Sequence, residues 1–134
     1  MKSLPVLFFA ALVAWACGEV SPKRQDSLRE AVLLFNEGVR WGRLQDVMPR
    51  VALDSREHFL EMHKEFGRDL QVSDYEIVNT AVDWKKNTAN VTVQITWYRK
   101  SQMEVFTTVL TQTWEEQAGE WLMTIESFTS GQPF

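Results

Sequence analysis

The two histidines, His58 and His63, are the residues that most invite a chemical reading, because imidazole binds metals and moves protons near neutral pH. They lie in a segment patterned as helix, so at about 100° per residue they point roughly 140° apart and cannot chelate one ion together. The run His58-Phe59-Leu60-Glu61-Met62-His63 misses the H-x-x-E-H spacing by one residue, since Met62 stands where the second histidine is needed. With one cysteine in the chain, no further histidine or thiol completes a ligand set, and neither a metal nor another cofactor is expected. His63 shares an apolar stripe with Phe59 and Phe66, which would let it project into an interior cavity as a general base. Tyr75 or Asp83 would be its partner, so these three are the catalytic candidates if the chain is an enzyme. The plainer role for His63 is a half-buried side chain satisfied by one hydrogen bond.

Other chemistries find less support. There is no G-x-S-x-G nucleophile turn, no G-x-G-x-x-G and no Walker loop, so hydrolysis and nucleotide binding lack their usual residues. Basic side chains are scattered, with short pairs at Lys23-Arg24, Lys85-Lys86 and Arg99-Lys100, and the formal net charge is −4. Phosphate backbones need concentrated Lys and Arg, so nucleic acid is not an expected partner. Trp41, Trp84, Trp97, Trp114 and Trp121 either line a pocket for an apolar ligand or fill the core.

Residues 1–16 open with Met1-Lys2-Ser3 and continue as an apolar run from Leu4 to Ala16, the pattern of a signal peptide. The run is shorter than the ~20 residues a bilayer-spanning helix needs. Ala14-Trp15-Ala16 suits ordinary signal peptidase, which would give a secreted or periplasmic product. Ala16-Cys17 also resembles the lipobox of bacterial lipoproteins, although Ala14 and Trp15 depart from its usual Leu and small residue. That resemblance implies lipidation of Cys17, residues 17–21 as a tether, and a membrane-anchored place in the cell envelope. An exported chain with one cysteine has no internal disulfide partner for it, and lipidation gives the thiol a use.

The remaining 113 or so positions must supply a fold that positions any site, and a chain of this size buries a sizeable core as one domain. Ser21-Pro22 reads as a cap followed by a first-turn proline, and Leu28, Ala31, Val32, Phe35 and Val39 make one apolar face, predicting a helix over 22–41. A shorter helical piece over 44–52 is interrupted by Pro49, and Asp54-Ser55-Arg56-Glu57 resembles a capping box opening a helix over 55–67. Beyond Asp69 the apolar period becomes two. Strands are expected over 75–84, 89–98, 103–114 and 120–128, with a bulge at Ile77-Val78 and residues 129–134 as a tail. Short connections make the strands an antiparallel meander, giving an α+β layer with the helices over one apolar sheet face.

This order resembles the NTF2-like superfamily over about residues 22–128, on the strength of Phe35-Asn36-Glu37-Gly38-Val39-Arg40-Trp41 and the Trp114, Trp121 hairpin closed over Gly119. The resemblance implies N-terminal helices wrapped on a curved four-stranded antiparallel sheet to form a cone. It also looks like the group of envelope lipoproteins that carry such a domain directly after the lipidated cysteine. The expected function is a non-enzymatic lipoprotein binding a protein partner or a small apolar ligand, with a homodimer through the outer sheet face as one form of partner. The alternative is a small dehydratase or isomerase using a cavity histidine and carboxylate.

Overall fold

The computed structural model describes residues 18–134. The signal peptide expected over 1–16 and Cys17, the expected lipidation site, lie outside the described residues. No helix among those described is long and apolar enough to cross a membrane.

Helix α1 (Pro22–Arg40) begins where the sequence places it, with the Ser21 hydroxyl accepting from the Arg24 amide at 3.3 Å and Pro22 in the first turn. Its buried face carries Leu28, Ala31, Val32, Phe35 and Val39. Gly42 then leaves the helix with φ +66° and lies back to back with Gly67, where an added Cβ would meet the Gly67 Cα at 2.6 Å. The two backbones approach this closely only because neither residue has a side chain. Helix α2 (Leu44–Val47) is one turn long and passes into a 3-10 turn over Met48–Arg50, the break falling at Pro49.

Helix α3 (Arg56–Met62) is shorter than the expected 55–67. No capping box forms: Asp54 lies within a 3-10 turn over Leu53–Ser55, the helix starts at Arg56 without a side-chain cap, and the Ser55 hydroxyl donates to the Thr124 carbonyl of the last strand. The helix stops at Met62 because His63 and Phe66 turn inward, and Phe66 joins a bridge to Leu70 around Gly67.

Four antiparallel strands follow in the order of the chain: β1 (Leu70–Asp83), β2 (Thr88–Arg99), β3 (Val105–Gln117) and β4 (Glu120–Gly131). β1 starts five residues before the expected Tyr75, since Leu70 already pairs with Arg99. β4 runs past the expected end at Phe128, pairing Ser130 with Val109 and Gly131 with Thr108, so residues 129–131 belong to the sheet and not to a tail. Four residues stand outside the regular register, Ser73 and Val78 in β1 and Thr124 and Thr129 in β4. The one at Val78 is the bulge anticipated from Ile77-Val78, and together such bulges bend and twist the edge strands.

The helices cover one face of this curved sheet, as the α+β layer requires. Trp97, Trp114, Trp121, Phe35, Phe59, Leu70, Leu110 and Met123 fill the space between. Trp41 is not part of it. It is 60% exposed, its indole N–H donating to Glu37 at 2.6 Å and its ring lying 5.1 Å from the Arg40 guanidinium.

Candidate functional site

His63 is placed by the end of α3, where its ring turns into the aromatic core between Phe59 at 4.3 Å and Phe66 at 4.6 Å. It is fully buried. Its Nδ1 lies 2.9 Å from the Phe59 carbonyl, which can only accept, so Nδ1 carries a proton. Its Nε2 lies 2.9 Å from Glu126 Oε1, out of line for a hydrogen bond but close enough for an ion pair. The two side chains thus form a buried histidine–carboxylate dyad whose facing atoms, Nε2 and Oε1, make no hydrogen bond.

The polar chain continues away from the dyad. Gln112 donates to Glu126 Oε2 at 2.7 Å and to Asn36 Oδ1 at 2.9 Å, and Asn36 donates back to Gln112 at 3.1 Å and to the Val32 carbonyl at 2.9 Å. All four side chains are buried; Asn36, Gln112 and Glu126 Oε2 satisfy one another, whereas His63 Nε2 and Glu126 Oε1 make no hydrogen bond.

Glu126 reaches the interior through the β4 bulge. Thr113 pairs with Ile125 and Trp114 with Met123, so Thr124 is an extra residue and both Met123 and Glu126 face inward. Strict alternation from Trp121 and Met123 instead puts Ile125 inside and Glu126 in water, which is why sequence reasoning missed it. Ile125 is in fact 58% exposed. The Ser55 hydroxyl donates to the Thr124 carbonyl at this bulge.

The three residues singled out from the sequence are not gathered at one place. His63 meets a carboxylate, but that of Glu126. Tyr75 is half-buried on β1, where burial and the neighbouring Glu37 carboxylate push its phenol up from the ordinary value. Asp83 ends β1 and accepts from the Lys85 and Lys86 amides at 3.1 Å, stabilising the turn. Among the described residues no three His, Cys, Asp or Glu side chains come together as a metal site.

Aromatic rings seal the dyad. Phe134, beyond the end of β4, packs edge-on against Phe66 at 4.8 Å and against Trp97 at 5.6 Å, and lies 6.2 Å from the His63 ring. A hollow of about 410 Å³ beside Phe134 is lined by residues such as Met62, Arg99 and Phe128, and neither His63 nor Glu126 is part of its wall.

The open apolar surface lies elsewhere, between α1 and β1. Phe35 sets the helix over β3 through an edge contact with Trp114 at 5.3 Å. The inward residues of β1 are left less covered than those of β2: Ile77 and Val82 are half-buried and Thr80 exposed, while Val91, Val93 and Ile95 are buried. The result is a groove of about 390 Å³ walled by Leu28, Val32 and Leu33 from the helix and by Ile77, Val82 and Trp84 from the sheet side. Trp84 is a braced wall. Its ring stands edge-on to Trp121 at 6.0 Å, and the Arg24 guanidinium lies 5.1 Å from it. Arg24 is itself fixed by Glu116 at 2.8 Å and by Asn87.

No family model matches the chain, and no match is found among curated proteins. Solved structures do match. A putative Ca/calmodulin-dependent kinase II association domain from Exiguobacterium sibiricum superposes with a TM-score of 0.67 at 14% identity, covering 87% of this chain and 98% of that one. An NTF2-like protein of unknown function from Shewanella baltica gives 0.58 at 10% identity, covering 87% and 100%. A protein of unknown function with a cystatin-like fold from Nostoc punctiforme gives 0.56 at 12% identity, covering 82% and 92%. At these identities the likeness is one of fold: helices on a curved four-stranded antiparallel sheet, an NTF2-like cone.

Proposed function

We propose that this NTF2-like domain is a non-enzymatic component of the cell envelope, held by a lipid on Cys17, that binds a small apolar ligand in the groove between α1 and β1. The observation that carries the binding role is a contrast within one molecule. The acid-base dyad that an isomerase or dehydratase would use is sealed by Phe59, Phe66 and Phe134, while an apolar groove stands open on the other side of α1. A substrate must come within hydrogen-bond reach of a general base, and nothing from solvent reaches His63. The anchoring role is supported by the apolar run before the single cysteine and by the short tether Gly18 to Ser21 leading to the cap of α1. The outer sheet face, with Val105 67% and Ile125 58% exposed, is the place for a protein partner or a second copy.

Both halves are open to test. Cells fed a labelled fatty acid should label the wild-type protein and not the Cys17→Ser variant; equal labelling of both, or of neither, removes the anchor. A polarity-sensitive apolar dye should bind the wild-type domain and brighten. Absence of dye binding removes the ligand role.

A further inference from the structure

We propose that the α1–β1 groove takes a single aliphatic chain ending in a carboxylate, a fatty acid, with Arg29 receiving the carboxylate at the rim. The proposal rests on the reading of this groove as an apolar-ligand site and names the ligand. The walls are aliphatic on both sides, Leu28, Val32 and Leu33 facing Ile77 and Val82, with the Trp84 ring at one end. From Gln25 to Leu33 the helical wall is about 12 Å long at 1.5 Å per residue, a trough suited to a flexible chain.

Arg29 is the one charged side chain in the lining, and it is exposed. Arg24, Arg40, Arg43 and Arg99 each lie within 4.0 Å of a carboxylate of the protein. Arg29 has no such partner among the described residues. A long apolar trough with one cation at its edge complements a molecule that is apolar along its length and anionic at one end, because the chain leaves water while the head keeps both its charge partner and its hydration. The other polar side-chain groups in the wall are those of Thr80 and Gln25 and the Trp84 indole N–H, none of them charged, and Gln25 is committed to the Val20 carbonyl at 3.2 Å.

The test compares decanoate with decan-1-ol by titration calorimetry on the purified protein. The wild type should bind decanoate more tightly than the alcohol. Arg29→Gln should weaken decanoate about five-fold, the worth of a partly exposed ion pair near 1 kcal/mol, and leave the alcohol within about two-fold. Arg29→Lys should restore most of the decanoate affinity. Thr80→Trp, a substitution at an exposed strand position, should fill the trough and abolish both. If that variant loses its circular dichroism signal, Leu33→Asp on the exposed helical rim decides instead, with decanoate binding lost at least ten-fold.

Equal binding of acid and alcohol, or indifference of decanoate to Arg29→Gln, overturns the fatty-acid assignment while leaving an apolar site in place. Failure of both ligands overturns the apolar site as well. A wild-type dimer that dissociates on Thr80→Trp assigns the groove to a second copy and also overturns the proposal.

Discussion

The buried contact of His63 with Glu126 cannot be explained by stability alone, because a buried pair of this kind roughly breaks even against apolar side chains of the same size. Breaking it is another matter. Glu126→Leu or His63→Leu should each cost about 3–5 kcal/mol, since the survivor is left buried without a counterpart, whereas the double replacement should cost much less than the sum. Urea unfolding of the four proteins in that cycle measures the coupling; additive losses would mean the two side chains do not support each other. His63 was legible as an interior residue from its stripe with Phe59 and Phe66. Its partner was not, because Tyr75 and Asp83 stand out only by residue type near strand ends, while Glu126 owes its direction to a backbone irregularity that no residue type announces. Tyr75 lies beside Glu37, and Asp83 is taken up by its own turn, a local arrangement that competes with any site.

Elements followed the sequence closely where a side chain decides locally and less closely where tertiary contacts decide. Ser21, Pro22 and the three-four spacing of apolar residues suffice to place α1. The strand centres follow from alternation, most plainly Ala89 to Trp97, whose odd positions are all buried. Element ends differ because pairing partners extend them, as Arg99 does for β1 and Val109 for β4. The stretch after β4 is the clearest case. Gly131 has φ +87°, and an added Cβ would lie 2.3 Å from the Thr107 carbonyl oxygen. This turn leads the chain to Gln132, whose amide donates to Thr107 at 3.0 Å and whose carbonyl accepts from Thr108, and then to Phe134 in the aromatic cluster. Gly131→Ala should therefore release Phe134, and Phe134→Ala should destabilise by about 1–3 kcal/mol as a partly buried ring. Since both undo one docking event, the double variant should fall well short of the sum in thermal or urea melts; full additivity would show that the turn and the ring act separately.

For the whole molecule, one sheet face is spent on the core and the other is not. β2 sends Ala89, Val91, Val93, Ile95 and Trp97 inward, while Thr92, Gln94, Thr96 and Tyr98 stand on the outer face with Val105 and Ile125 nearby. The α+β layer was readable because such alternation forces a helical cover on one side. Which part of the sheet stays uncovered was not, since it depends on how α1 crosses it. If the outer face takes a second copy, Val105→Glu with Ile125→Glu should convert a dimer to a monomer in sedimentation without lowering the melting temperature, whereas a dimer that persists would move the contact elsewhere. The extra residue at Thr124 bears on how relatives should be compared. Because β4 carries one residue more than regular pairing needs between Met123 and Ile125, removing Thr124 would straighten the strand there and still leave Met123 and Glu126 on the same side. A relative with a straight fourth strand and the same interior acid should therefore be one residue shorter at this point. Chain length there, and not the identity of any side chain, sets what the interior contains.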